Sequence, residues 1–260
     1  MALSPAARRL LLGVSLVVGG VTVLHATYNY FIGPMLTGLG ANASESSLMR
    51  QLPSLASLFV IFPAGILGDR WGGRRVITWG STLFVVGSAI VLVAPAFVAV
   101  CVGLVLQSAG ASAIMVTALG MLSAGVEDPR ARASAFAAFA AITPVIYVFA
   151  PVMAGALVDH TGWRGIPAMW TVAGLTMVWA ARRALPAASG RGALGEMWTP
   201  ALAGITLVLL VNVVNRFRYD GWSDPATILS LVGAVVAGAA LVVRHRRTSH
   251  PTLSIVALRG

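Results

Sequence analysis

The sequence predicts an all-α integral membrane protein with about eight transmembrane helices, a six-helix block followed by a helix pair, with both termini cytoplasmic. Three observations carry this prediction. Of 260 residues, 58% are apolar and 10% charged, against roughly 45–50% and 25% in soluble domains. Eight apolar runs, some of marginal length, divide the chain, and about 20 such residues bridge roughly 30 Å of hydrocarbon as a helix. All 18 basic residues are arginines, clustered in the gaps between those runs, as topology signals are. Isolated strands would leave backbone amides unpaired in lipid, and the short alternating segments of an outer-membrane barrel are missing.

The first run spans about 10–33. Arg8 and Arg9 precede it as in a signal peptide, but its apolar part is about 24 residues long and no small-x-small cleavage site follows, so it reads as a retained helix. Runs at 51–68 and 76–94 flank a loop rich in glycine and arginine. The fourth, 97–125, holds the lone Cys101, a small buried residue that excludes an intramolecular disulfide framework. The fifth, 134–158, contains Pro144 and Pro151. The runs at 166–181 and 199–215 are the weakest, and 226–243 closes the series.

Placing the first nine residues inside puts fourteen arginines in inside loops and four outside, namely Arg50, Arg164, Arg216 and Arg218. The acidic residues divide evenly. The positive-inside rule counts the cations, so both ends face the cytoplasm. Trp71, Trp163, Trp198 and Trp222 fall at predicted helix ends, where amphipathic rings favour the headgroup layer. The domains are then 1–181, the six-helix block; 182–198, a cytoplasmic linker with Pro186 and three glycines; and 199–260, two further helices with a basic C-terminal segment.

Several function classes drop out. A net charge of +10 does not imply nucleic acid, because the arginines are dispersed between spans and not gathered on one soluble face. No Gly-x-Ser-x-Gly, His-Glu-x-x-His or phosphate-binding glycine loop occurs, and only His25 of the four histidines lies deep in a span. An enzyme is therefore not expected, nor a metal or cofactor.

Between the second and third runs the chain reads Gly65-Ile66-Leu67-Gly68-Asp69-Arg70-Trp71-Gly72-Gly73-Arg74-Arg75. Gly72 permits a tight reversal, and Asp69 beside Arg70 and Arg74 offers an ion-pair cluster at a membrane face. This stretch resembles the signature cytoplasmic loop of the major facilitator superfamily, with Gly73 where a basic residue is usual. The resemblance implies a secondary transporter working by alternating access, with Gly65, Asp69, Arg70, Gly72, Arg74 and Arg75 as gate residues, not substrate ligands.

Three further stretches are similar to that family in register. Leu104 to Ala111 looks like its helix 4 motif, with Leu104 where an arginine tied to proton coupling is expected. Ala150-Pro151-Val152-Met153-Ala154-Gly155 looks like the helix 5 antiporter motif, with two alanines in place of glycines; Pro151 and Gly155 are its retained members. Small residues there let helices approach closely. Trp163-Arg164 resembles the pair that precedes helix 6 in multidrug antiporters. His25-Ala26-Thr27, followed by Pro34, matches in spacing a motif of the fourteen-helix drug:proton antiporters, with His25 in place of the acid.

A histidine in hydrocarbon is costly unless it faces a cavity or a partner. Imidazole changes charge between about pH 5 and 8, which suits a proton carrier. A neutral histidine bonded between helices is the other reading of His25. Asn29 lies one turn further along, so both can face one cavity. Gln107 is either a cavity ligand or an interhelical hydrogen-bonding group. No carboxylate lies deep in any run.

The final pair, with Asp220-Gly221-Trp222-Ser223 between its helices and His250-Pro251-Thr252-Leu253 after them, resembles the two helices that link the halves of fourteen-helix members. The chain thus reads as an N-terminal transporter half plus linker helices. The resemblance implies a multi-pass protein of the plasma membrane that exports small lipophilic compounds against protons. It implies a second half or a homodimer as partner. The alternative is a truncated or regulatory half-transporter without transport of its own. Asn42-Ala43-Ser44 fits a glycosylation triplet on the predicted outer side.

Overall fold

The computed structural model describes residues 5–126, 128–187, 198–220 and 224–247. They form eight α-helices and, among the described residues, no strand: α1 (Pro5–Leu39), α2 (Ala43–Trp71), α3 (Gly73–Val93), α4 (Phe97–Gly125), α5 (Pro129–Thr161), α6 (Gly165–Arg183), α7 (Trp198–Asp220) and α8 (Pro225–Arg247). Seven are long and apolar enough to cross a membrane. The eighth, α6, has 19 residues, or about 28 Å at 1.5 Å per residue. Glu127, most of the linker (188–197), Trp222 with its neighbours and the segment from 248 to 260, including His250 and Pro251, lie outside the described residues.

Several helices run past their apolar windows, because backbone hydrogen bonding continues until a cap stops it. Predicted from 51, α2 begins at Ala43. The Asn42 side chain accepts from the Glu45 amide at 2.9 Å, and the Glu45 carboxylate accepts from the Asn42 amide at 2.8 Å. This reciprocal capping box fixes the start. It also corrects the place of Arg50, which is no loop residue but lies two turns inside α2.

The tightest seam joins α3 to α4 through glycines. A Cβ at Gly87 would stand 2.5 Å from the Gly103 carbonyl oxygen and 2.6 Å from the Gln107 amide nitrogen. A Cβ at Gly110 would meet the Gly80 carbonyl. Close backbone approach of this kind is how helices associate where lipid is as apolar as leucine.

Around α1 lies the main core. Val14, Val17, Val21, Phe31 and Met35 are fully buried, and α1 packs on α4, α5 and α6. Phe31 meets Trp170 edge-on with ring centroids 5.0 Å apart and Trp163 at 5.9 Å. Trp163 therefore departs from the interfacial placement its sequence position suggests: it is only 8% exposed. The Arg164 guanidinium covers its outer face at 4.6 Å from the ring centroid and donates to the Ala94 carbonyl at the end of α3. Trp71 and Trp198 are exposed at helix ends. Cys101 is buried.

The pair α7–α8 is joined by a hydrogen bond from Ser230 to Asn212 at 3.2 Å. It meets the block through α7 against α2, where Gly204 sits under the Phe59 backbone. Much of the apolar surface of α5 is left uncovered, including Phe149 and Val152.

Candidate functional site

Three helices converge on one groove. From α1 come His25, Tyr28 and Asn29, at i, i+3 and i+4, a spacing that puts all three on one face. From α2 come Arg50, Ser54 and Ser57, again on one helical face. From α4 come Leu104, Ser108 and Ser112. The groove holds two adjoining cavities of about 190 and 250 Å³ that share Leu24, His25, Ser57 and Ser108.

His25 sits near the middle of α1 and is exposed to the groove. Its Nδ1 lies 3.0 Å from the Val21 carbonyl oxygen. A carbonyl only accepts, so Nδ1 carries the hydrogen and Nε2 is left to serve the groove. Tyr28 donates to the Met49 carbonyl at 3.1 Å, tying α1 to α2 beside the cavity. Ser57 reaches the Ser108 carbonyl at 3.4 Å, which ties α2 to α4 at its floor.

The candidates named from sequence divide. His25 and Asn29 line the groove. Gln107 is fully buried on the other side of α4, donating to the Ser88 hydroxyl of α3 at 2.7 Å. That is the interhelical role, not the cavity role. Leu104, which stands where an arginine was expected, is buried and forms part of the groove wall.

The loop from α2 to α3 is a single residue. Gly72 has φ 87° and ψ 133°, a left-handed backbone that residues with a Cβ resist. Its carbonyl accepts from the amides of Arg75 and Val76, starting α3. Gly68 and Gly73 pack against Thr117, and a Cβ at Gly73 would strike Met121. A side chain at Gly73 would require Met121 to move. Asp69 is exposed, as is Arg75. Arg74 does not close the expected cluster with Asp69; it donates to the Arg182 carbonyl at the end of α6, where carbonyls lack helical partners.

In α5, Ala150 and Ala154 are both buried. Pro151 is half-buried, and a Cβ on Gly155 would meet nothing within 4 Å.

Sequence reasoning missed Arg50, Tyr28, Ser57 and Ser108. The spacing Arg50-Ser54-Ser57 was available as a helical stripe, but it showed only once α2 was known to start before it.

The family model described as Major Facilitator Superfamily matches residues 10–256. The chain belongs to the major facilitator superfamily. Among curated relatives of this major facilitator chain, multidrug resistance protein Stp of Mycobacterium tuberculosis is 29% identical over 79% of the chain and 38% of its own length. The methylenomycin A resistance protein of Bacillus subtilis is 25% identical over 75% of the chain and 42% of its length. Drug efflux pump JefA of M. tuberculosis is 42% identical over 44% of the chain and 22% of its length. The chain thus spans less than half the length of these relatives. A peptide transporter structure, POT in complex with sulfate, shares the fold at TM-score 0.62 and 15% identity, covering 94% of this chain and 53% of that one. The protein is a multi-pass membrane protein of a transporter family, with drug-resistance proteins among its relatives.

Proposed function

We propose that this chain forms one half of a proton-coupled efflux transporter of the plasma membrane, moving small lipophilic compounds by alternating access against a second half. The observation that carries the reading is His25 at mid-depth of α1, open to a groove walled by α1, α2 and α4. Among the residues lining that groove it is the one whose side-chain type changes charge near neutral pH. With Nδ1 committed to Val21, proton gain and loss fall to Nε2, where a substrate can sense them.

Exposed Asp69 at the end of α2, with Arg70, Arg74 and Arg75 around the Gly72 turn, forms the cytoplasmic latch that meets the second half. The uncovered face of α5 is the seam on which that half rocks, and such rocking exposes a midplane site to each side in turn.

The test is reconstitution into liposomes with an imposed proton gradient, reading gradient-driven movement of a lipophilic dye alongside the oligomeric mass of the complex. Wild type, as a homodimer or with a second six-helix chain, should move dye when the gradient is applied. His25→Ala should assemble normally and lose that dependence. Gradient-driven movement unchanged in His25→Ala would remove the residue from the coupling step.

A further inference from the structure

We infer that the groove selects anionic or acid-bearing lipophilic compounds, with Arg50 as the specificity-determining residue that pairs with the acid group. The inference rests on the transporter reading above and names its substrate class.

Among the described residues, the groove contains a fixed positive charge and no negative one. Arg50 is among its lining residues, and no Asp or Glu is. The nearest acid along α2, Glu45, is committed to the capping box through the Asn42 amide. The other polar lining groups, Tyr28, Asn29, Ser54, Ser57 and Ser108, are neutral at physiological pH. Histidine adds positive charge or none, never negative.

Guanidinium does not deprotonate in proteins, so Arg50 keeps its positive charge at the exposed edge of the groove. Charge within a membrane-spanning segment is costly unless it is paired or wet. An entering carboxylate or sulfonate can pair with it, and guanidinium receives such groups through two parallel hydrogen bonds. An entering ammonium meets a like charge at the exposed mouth of the groove. The apolar part of the ligand has its own place: Leu24, Leu104, Ile61 and Met115 line the walls. Arg50 also sits two turns from the start of α2, at the mouth of the groove relative to His25, so acid and apolar body are recognised at different depths.

The test uses three probes on one skeleton: naphthalene-2-carboxylate, its neutral carboxamide, and naphthalen-2-ylmethylammonium. Binding to the full chain in lipid nanodiscs is measured against empty nanodiscs. Wild type should bind the carboxylate at least about tenfold more tightly than the ammonium. Arg50→Gln should bring the three within about threefold of each other, and Arg50→Lys should keep the order of preference. A helical spectrum and elution volume matching wild type show that each variant is folded; Arg50→Lys carries the test should Arg50→Gln fail that check. Equal or tighter binding of the ammonium overturns the charge selection alone, as does a carboxylate preference that survives Arg50→Gln. Binding of none of the three probes overturns the substrate groove itself, and with it the transporter reading.

Discussion

The indole nitrogen of Trp170 in α6 donates to the hydroxyl of Thr27 in α1 across 2.8 Å, in a site closed to solvent. Thr27 in turn donates to the Val23 carbonyl at 2.7 Å. The threonine of the His25-Ala26-Thr27 motif is thus a fastening to α6. Two residues along a helix is about 200° of rotation, given 3.6 residues per turn. Locking Thr27 inward therefore turns His25 outward, into the groove.

A buried indole N–H without its acceptor costs about 1–3 kcal/mol, whereas removing both partners costs less. Thr27→Val should therefore destabilise the protein by about that amount, and Thr27→Ser by much less. In a Trp170→Phe background the same Thr27→Val change should cost under half as much. Thermal unfolding of the four proteins in one detergent gives the coupling; equal costs in both backgrounds would mean the bond contributes nothing.

The α3–α4 seam makes a sharper demand, because its glycines meet backbone and not flexible side chains. At Gly87 the obstructing atoms are the Gly103 carbonyl and the Gln107 amide. Neither can change rotamer, so the helices must part. Gly87→Ala should cost at least the upper end of the 1–3 kcal/mol typical of overpacking, about 3 kcal/mol. Gly120 lies inside α4 with nothing within 4 Å of its Cβ position. There alanine should stabilise by about 0.5–1 kcal/mol through helix propensity alone. Unfolding midpoints decide the matter, and a tolerated Gly87→Ala would mean the seam is looser than its backbone distances.

How far the sequence revealed this can be traced residue by residue. The helices were legible because each apolar run in lipid must satisfy its own backbone. Gly72 was legible because a one-residue reversal demands glycine. His25 and Asn29 were legible because a helix turn places them together. Arg50 was not, since hydropathy marks where a chain is apolar and says nothing of where a cap begins a helix. Gln107 was not either: which side of α4 it faces depends on the glycine seam with α3, a tertiary fact. The same holds for Trp163, whose burial follows from Phe31 and from Arg164 covering its outer face, partners distant from one another in sequence.

The Gly72 turn invites a local test. Its φ of 87° with ψ of 133° lies where an L side chain costs on the order of 1–3 kcal/mol. Gly72→Ala should open the start of α3, where the Arg75 and Val76 amides bond the Gly72 carbonyl. Hydrogen exchange should speed up at those two amides while the middle of α3 stays protected. Unchanged exchange at both would show that the turn tolerates a Cβ.

At the head of α8 the prediction is one of pH. Partial burial pushes the Asp224 carboxyl upward, but hydrogen bonds from the Ala226 and Thr227 amides, the Thr227 hydroxyl and Arg216 outweigh it and hold it below the usual carboxylate range. The Arg216–Asp224 contact is 3.2 Å. A carboxyl lowered by folding contributes stability that is complete above its unfolded value, near 3.9. That stability is lost as pH falls through the lower folded value. The first turn of α8 should accordingly stay capped at pH 5 and fray as acid protonates Asp224. Asp224→Asn keeps the capping geometry and removes the charge, so its amide exchange in that turn should not change with pH between about 5 and 2 beyond the intrinsic rate. If wild type and Asp224→Asn fray along the same pH curve, another group carries the acid sensitivity.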